Sequence, residues 1–228
     1  MNRATEISER LERVRARIRE AEVAAGRAPG SVTLLPVTKF HPAEDVAVLS
    51  ELGVTAVGEN REQEARAKAA AVPEMDFHMI GQVQTKKANA VARWAAACHS
   101  VDSVRLAEGL NRGVALALER GERTQGVLDC FVQWSADGDT RRGGTAEPQA
   151  VAEAIAASDH LRFVGIMVVP PIGADPARVF AEARRLADGL GPGMALSAGM
   201  SADLVQAIAA GSDLVRVGTD ILGPRPVG

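Results

Sequence analysis

The sequence predicts a single (β/α)8 barrel with one additional N-terminal helix. Eight short apolar segments recur along the chain, and each is followed by a segment with helical periodicity. The length of 228 residues is near the roughly 250 residues typical of this barrel. The alternative, a doubly wound open sheet, would place a G-x-G-x-x-G motif after the first strand, and the sequence has none there. We therefore expect one domain over residues 1–228.

The chain opens with an amphipathic helix. Its apolar side chains recur at steps of four and three with charged residues between them, and they are Ile7, Leu11, Val14, Ile18 and Ala21. The pattern stops near Gly26, before a Pro-Gly pair that marks the entry to the first strand. We expect the apolar stripe of this helix to pack against the barrel.

Four strands are predicted in the first half of the chain. They are residues 34–37, 54–57, 76–80 and 97–101. The helices after them are predicted at residues 43–51, 61–71 and 85–96, and from the Asp102-Ser103 cap to about residue 120. Because Pro42 cannot lie inside a strand, Lys39 falls at the last position of the first strand or just past it.

Four more strands are predicted in the second half. They are residues 127–134, 161–169, 194–197 and 214–217. Helices are predicted at residues 148–157, and from residues 175 and 201 onward. A polar loop, residues 135–144, follows the fifth strand, and a loop of this length is usually functional or mobile.

Composition excludes several classes of partner. Lys plus Arg number 26 and Asp plus Glu 29, which gives a net charge of −3, and no basic stripe interleaves with aromatic residues, so nucleic acid is not expected. The chain has no apolar leader and no run near the roughly 18 apolar residues of a membrane span, so we expect a soluble cytoplasmic protein. Cys98 and Cys130 lack metal-ligand spacing and are interpreted as reduced core thiols. We expect a monomer without a metal site.

Polar residues follow four of the predicted strands. Lys39 follows the first strand and Asn60 the second. The seventh strand ends in Ser197, with Gly199 and Ser201 after it, and the eighth contains Arg216 and ends at Gly218 and Thr219. The carboxyl ends of barrel strands meet at one face, where the loops after the last two strands often hold a phosphate. These residues are therefore candidates for one anion-binding site.

Each candidate residue could instead have a role that involves no ligand. Lys39 could be a solvated surface charge, and Ser201 could simply cap the helix that follows it. Arg216, in an otherwise apolar strand, could form an ion pair with a neighbouring carboxylate. His78 and His99 lie in predicted strands without zinc-site spacing, which favours satisfied core histidines.

Six motifs between about residue 33 and residue 223 carry a resemblance to a known family. They are Val37-Thr38-Lys39, Gly58-Glu59-Asn60, the H-x-I-G-x-x-Q segment at 78–84, Ser100-Val101-Asp102-Ser103, the S-x-G-M-S-x-D segment at 197–203 and the V-R-x-G-T-x-I-x-G segment at 215–223. Together they resemble the pyridoxal-phosphate homeostasis protein family, the single-barrel relatives of the alanine racemase N-terminal domain.

The resemblance implies a fold-type III pyridoxal-phosphate barrel and a role in intracellular vitamin B6 homeostasis. It implies that Lys39 holds pyridoxal 5′-phosphate (PLP) as a Schiff base and that Arg216 faces the pyridine nitrogen. It also implies contact with the cofactor at Asn60, and a phosphate site formed by Ser197, Ser201, Gly218 and Thr219. PLP-dependent apo-enzymes would be the partners that receive the cofactor.

Physical reasoning then indicates how much catalysis to expect. An arginine at the ring nitrogen leaves that nitrogen unprotonated, which makes the cofactor a poor electron sink. The chain has no tyrosine, so the lysine and tyrosine base pair of alanine racemase is not available. We expect PLP binding without efficient turnover. The alternatives are an amino-acid racemase or lyase of low activity, with His78 or another residue as the second base, and a barrel aldolase whose Schiff base forms directly with a substrate.

Overall fold

Eight parallel strands form one sheet that curls into a barrel in the computed structural model, which describes residues 2–225. The strands are β1 (Thr33–Pro36), β2 (Ala56–Glu59), β3 (Asp76–Met79), β4 (Ala95–Val101), β5 (Leu128–Trp134), β6 (Leu161–Val168), β7 (Ala195–Ser197) and β8 (Leu214–Val217). Each strand pairs with its neighbours in the chain, and β8 returns to pair with β1, where Leu35 lies opposite Arg216. A bridge between Val37 and Gly58 joins β1 to β2.

This arrangement confirms the predicted (β/α)8 barrel, and the open-sheet alternative is wrong. Helices connect the strands. They are α1 (Arg3–Ala24), α2 (Ala43–Glu51), α3 (Glu62–Ala71), α4 (Ala88–Trp94), α5 (Val104–Glu119), α6 (Pro148–Ala156), α7 (Pro176–Leu190), α8 (Leu204–Ala209) and α9 (Thr219–Leu222). Since every strand runs in the same direction, all carboxyl ends open on one face of the barrel.

The N-terminal helix packs as its pattern predicts. Ile7, Leu11, Val14 and Ile18 are at most 4% exposed, and α1 contacts α2, α8 and α9. Its apolar stripe joins the core between these helices and the barrel strands. The helix thus lies beside the last β/α unit, where a side chain from α1 can reach the loops after β7 and β8.

The bounds predicted for the second strand and for the helix before the fourth strand differ from the structure. The second strand was expected at residues 54–57 and is found at Ala56–Glu59. Gly58 lies inside this strand, where a Cβ would be 3.0 Å from Ile80 Cδ1 and 3.3 Å from Leu35 Cδ2. The helix expected at residues 85–96 is divided into a 3-10 turn and α4, and β4 begins at Ala95. Pairing between strands sets both boundaries, and the pattern of apolar residues along the chain does not reveal this pairing.

The two cysteines are free and buried, as expected of core thiols. Cys98 lies opposite Cys130 in the register of β4 and β5. Within the described residues, no group of His, Cys, Asp and Glu side chains could hold a metal ion. No helix among residues 2–225 is both long enough and apolar enough to span a membrane.

Glu22 ties α1 to the start of the barrel, and its loss is expected to destabilise the fold. Its buried carboxylate accepts hydrogen bonds from the backbone N–H groups of Gly30 (2.9 Å) and Val32 (2.7 Å) and from the Ser31 hydroxyl (3.2 Å). Glu22→Ala would leave these three donors without an acceptor. It should lower the free energy of unfolding by about 2 kcal/mol, as measured by urea denaturation. Glu20→Ala, on the exposed face of α1, is the control and should change it little.

The same carboxylate should make stability depend on pH. Burial raises the pKa of Glu22, but the hydrogen bonds from Gly30, Val32 and Ser31 outweigh it, so the pKa lies below its ordinary value of 4.5. The stabilisation is therefore present above the unfolded-state pKa and is lost as the pH falls through the folded-state pKa. Equal unfolding free energies of the wild type and the Glu22→Ala variant at pH 7 would show that the Glu22 carboxylate does not stabilise the fold.

Candidate functional site

The candidate site lies at the carboxyl ends of β1 and β8, which are neighbours in the barrel. β1 ends at Pro36, so Lys39 stands just past the strand, as expected. Gly218 follows β8 and lies against β1, because a Cβ on it would be 3.1 Å from the Val37 carbonyl oxygen. The barrel therefore brings the Lys39 segment and the Gly218-Thr219 segment together.

Lys39 is in a setting that favours its neutral amine. Burial of the side chain lowers the pKa of Lys39 below its ordinary value of 10.5, and the positive charge of Arg225 lowers it further. A lysine that gives up its proton more easily than a solvated one can act as a nucleophile. The interpretation of Lys39 as a fully solvated surface charge does not match this half-buried position.

Lys39 occupies the second position of a tight turn. The His41 N–H donates to the Thr38 carbonyl at 3.0 Å, which closes a four-residue β-turn. Phe40, at the third position, has a φ of +69°, and Lys39 is not among the described residues with positive φ. This combination is that of a type II turn, whose third position usually holds glycine. The Phe40 ring lies 4.1 Å from the Arg225 guanidinium and 5.1 Å from that of Arg61.

A buried ion-pair network supports this turn from α3. Lys68 Nζ donates to Glu59 Oε1 at 2.6 Å, to Glu64 Oε1 at 2.6 Å and to the Thr38 carbonyl at 2.7 Å. The Thr38 hydroxyl donates to Glu59, and the Phe40 N–H donates to Glu64 Oε1 at 2.6 Å. Burial raises the pKa of Glu59, although its bonds with Lys68 and Thr38 oppose the shift.

This network is not predicted from the sequence. The helix that carries Glu64 and Lys68 is rich in Glu, Arg and Ala, a composition typical of a solvated helix. The available signal was the spacing of four residues between Glu64 and Lys68, which places them on one helix face. It could not show that this face turns toward β1.

Arg216 lies inside the barrel, only 4% exposed. Its Nη1 donates to Ser197 Oγ at 2.7 Å, and its Nη2 donates to the Val168 carbonyl at 3.0 Å. Burial lowers the pKa of Arg216 to about 10, so the guanidinium remains charged at neutral pH. Among residues 2–225 no carboxylate lies within ion-pair distance, so the structural salt bridge considered for Arg216 is not what the structure shows. Two of five N–H groups are used, which leaves donors for a ligand.

The two strand histidines extend this polar chain. His99 Nδ1 lies 2.9 Å from Ser197 Oγ, and His99 Nε2 lies 3.1 Å from His78 Nδ1. The His99 ring stacks on Phe131 with the ring centres 4.2 Å apart. Burial lowers the pKa of His78 to about 4, so both rings are neutral at pH 7. His99 is a buried core histidine, as expected, and it also holds the Ser197 hydroxyl, while His78 is partly exposed and contacts His99.

Ser197 joins Arg216 to the two histidines. It is completely buried, and its hydroxyl bonds both Arg216 and His99. The assignment of Ser197 to the phosphate site stays a prediction. Its position inside β7, opposite β8, makes it a support for Arg216.

The loop after β7 approaches the loop after β8. Arg17 of α1 joins them, because its Nη1 donates to the Ser201 carbonyl at 2.9 Å and to Asp220 Oδ2 at 3.4 Å. The helix expected from residue 201 begins instead at Leu204 as α8, and Asp203 Oδ1 accepts from the Met200 N–H at 2.6 Å. Ser201 is thus not the N-cap that the alternative interpretation proposed, and it belongs to the loop.

Asn60 follows β2 at the same face and lines a neighbouring cavity of about 480 Å³ together with Gln82 and Gln84. Gly81 is pressed against it, since a Cβ on Gly81 would be 2.2 Å from the Asn60 carbonyl oxygen. The backbone at Asn60 is therefore held in place by the chain that follows β3.

Gly199→Ala is expected to damage the loop after β7. Gly199 has a φ of +94°, and a Cβ on it would be 2.6 Å from Ala207 Cβ, so an alanine must displace α8. We expect the free energy of unfolding to fall by about 2 kcal/mol and any ligand held by this loop to bind more weakly. Gly189→Ala, in α7 with open space around it, is the matched control and should raise stability by about 0.5 to 1 kcal/mol. Equal behaviour of the two variants in thermal unfolding would contradict the assignment.

The chain is similar in sequence to known proteins that share one name. A family model described as alanine racemase, N-terminal domain, matches residues 10–226. The chain is 61% identical over 207 residues to the pyridoxal phosphate homeostasis protein of Corynebacterium glutamicum, covering 88% of this chain and 94% of the relative. It is 33% identical over 234 residues to the protein of the same name from Escherichia coli, covering 96% and 97%.

Solved structures give the same fold. PipY of Synechococcus elongatus, solved with PLP bound, superposes with a TM-score of 0.79 at 31% identity, covering 95% of this chain and all (100%) of that one. Alanine racemase of C. glutamicum superposes with a TM-score of 0.67 at 18% identity, covering 99% of this chain and 62% of that one, which supports the barrel fold alone.

Proposed function

The chain belongs to the pyridoxal phosphate homeostasis protein family, and from that membership we propose that it binds PLP through Lys39 and takes part in intracellular PLP homeostasis. The observation that carries the proposal is the position of Lys39. It is a half-buried lysine with a lowered pKa, at the end of β1, beside the Gly218 segment.

The donor set fits a phosphorylated pyridine aldehyde. The site offers an amine at Lys39, a buried guanidinium at Arg216 and small polar groups at Ser201, Gly218 and Thr219. When bound, PLP supplies an aldehyde that a lysine can capture and a ring that can withdraw electrons.

Lys39 would form the covalent bond. Its neutral amine adds to the aldehyde carbon, the new C–N bond becomes C=N, and the aldehyde oxygen leaves as water with both amine hydrogens. Burial and Arg225 favour the neutral amine at the start of this step.

Arg216 would donate to the pyridine nitrogen, and Ser197 would hold it in position. An arginine stays protonated and cannot accept a proton from the ring, so the ring nitrogen remains an acceptor. The bonds to Ser197 and to the Val168 carbonyl fix the guanidinium plane before any ligand arrives. Because Ser197 is itself held by His99, the whole arrangement is set by the barrel core.

The phosphate would bind at Ser197, Ser201, Gly218 and Thr219. The chain packs closely around both glycines of this region, since a side chain at Gly199 or Gly218 would collide with its surroundings. Arg17 holds the two loops together from α1 without occupying the Ser201 hydroxyl. Asn60, on the adjacent strand end, would contact the remaining edge of the cofactor.

We propose that the chain handles the cofactor and does not turn over amino acids efficiently. Two-base chemistry needs a second base, and the chain has no tyrosine. His78 is a poor substitute, because its Nδ1 lies 3.1 Å from His99 and burial lowers its pKa to about 4. In the cytoplasm, such a protein would take up PLP and pass it to PLP-dependent apo-enzymes.

The experiment that tests this proposal follows chirality and exchange at the α-carbon. Loaded protein is incubated with single-enantiomer amino acids in deuterium oxide, and we expect deuterium incorporation far below the typical enzymatic range of roughly 1 to 10³ per second. Turnover within that range would establish the racemase or lyase alternative. Transfer of PLP to an apo-enzyme is then measured by the activity that the apo-enzyme gains, and no gain over free PLP would contradict delivery.

A further inference from the structure

The turn that carries Lys39 is in a conformation that its own sequence disfavours. Phe40, at the third position, has a φ of +69°, where a side chain is strained and glycine is usual. A type I turn would remove this strain. It requires rotation of the Lys39–Phe40 peptide, which changes ψ of Lys39 from about +120° to about −30°.

Glu64 opposes that rotation. Its Oε1 accepts the Phe40 N–H at 2.6 Å, and this N–H belongs to the peptide that would have to rotate. After the rotation, the Lys39 carbonyl oxygen would face the carboxylate and the Phe40 N–H would lose its acceptor. Both consequences disfavour the type I form.

Glu64 is itself held rigidly. Lys68 Nζ lies 2.6 Å from the same Oε1, and it also donates to Glu59 and to the Thr38 carbonyl. Lys68 is 5% exposed and Glu59 is fully buried, so solvent screens their ion pair little, whereas the Glu64 side chain is 23% exposed. One network therefore fixes the first and third residues of the turn, and Lys39 lies between them.

We propose that Glu64 is a positioning residue for Lys39, holding the Thr38–His41 turn in the type II form so that the lysine is presented to the cofactor. This inference rests on the proposed function, because it assumes that Lys39 is the residue that captures PLP. Glu64 would act through the backbone of Phe40, whose N–H it accepts.

Four variants separate this role from a general structural one. Glu64→Ala removes the acceptor, and Glu64→Gln retains an oxygen that can accept the Phe40 N–H. Phe40→Gly makes the type II turn favourable without any acceptor, and the double variant combines Phe40→Gly with Glu64→Ala. Glu62→Ala is the control, because Glu62 is a buried carboxylate on the same helix that pairs with Arg66 and Lys87 instead of the turn.

Two readouts are used. The first is hydrogen exchange of the Phe40 amide in the protein without PLP. The second is the rate at which borohydride traps limiting PLP on Lys39. We expect Glu64→Ala to speed exchange and to slow trapping by at least about tenfold. Glu64→Gln, Phe40→Gly and Glu62→Ala should trap near the wild-type rate.

The decisive comparison is the rescue. If Glu64 acts through the turn, Glu64→Ala should slow trapping strongly in the wild type but only a little in the Phe40→Gly variant. This difference would be a strong coupling between the two residues in the double-mutant cycle. A tenfold loss in both backgrounds would overturn the proposal, as would wild-type trapping by Glu64→Ala alone. Should Glu64→Ala not fold, near-equal trapping by the double variant and Phe40→Gly supports the proposal, and a tenfold deficit overturns it. A wild type that is never trapped at Lys39 would instead refute the proposed function.

Discussion

Lys39→Ala is expected to abolish covalent capture of PLP. The chain has only four lysines, and the other three are placed differently. Lys68 is 5% exposed and engaged with Glu59 and Glu64, while Lys86 and Lys87 are exposed. The variant should lose the visible absorption band of the lysine-bound cofactor and the borohydride-stable adduct. Residual PLP should bind reversibly through the phosphate loops.

Lys39→Arg is the matched variant for charge, because a guanidinium retains the positive charge but does not form the bond. It should lose the adduct as completely as Lys39→Ala. Lys86→Ala, which removes an exposed lysine, should leave the adduct unchanged. A full absorption band in Lys39→Ala would assign the covalent bond to another amine.

Arg216→Glu is expected to weaken PLP binding and to change the spectrum of the bound cofactor. The loss of a charge-assisted hydrogen bond to the ring nitrogen costs about 1.5 to 3 kcal/mol, which corresponds to about a tenfold to hundredfold loss of affinity. A carboxylate at this position also favours a protonated ring nitrogen, and protonation shifts the absorption. Because Arg216 is buried, Arg216→Met is measured beside it, and it should lower affinity without favouring protonation.

Thr219→Ala provides the comparison at the phosphate end of the site. It should lower affinity by about tenfold and leave the absorption of the bound cofactor unchanged, because it is remote from the ring nitrogen. Wild-type affinity and spectrum in folded Arg216→Met and Thr219→Ala would show that PLP binds elsewhere. Thermal unfolding of each variant separates loss of the site from loss of the fold.

The barrel and the strand-end residues could be predicted because they depend on patterns along the chain. Apolar segments alternate with helical ones, and parallel strands bring their carboxyl ends together whatever their pairing details. The stripe from Ile7 to Ile18 is likewise local, and it is buried as predicted. The register of β2 could not be predicted, because pairing across the sheet and not periodicity sets it.

The support of the site depends on contacts between distant segments. The ordinary signal for a turn with positive φ is a glycine, and Phe40 stands in its place. Glu64 and Lys68 have the spacing of a surface ion pair, and they become part of the site only because α3 lies beside the turn that follows β1. Ser197 carries the motif of a phosphate ligand, and its burial between Arg216 and His99 emerges only when β4, β7 and β8 are assembled.

The most direct test of the central claim is the location of the PLP adduct in the wild-type protein. Purified protein is mixed with equimolar PLP, reduced with borohydride, digested and mapped by mass spectrometry across Lys39, Lys68, Lys86 and Lys87. We predict one reduced adduct, on Lys39, with the other three lysines unmodified. An adduct spread over Lys86 and Lys87, or bound PLP with no adduct on Lys39, would contradict the claim.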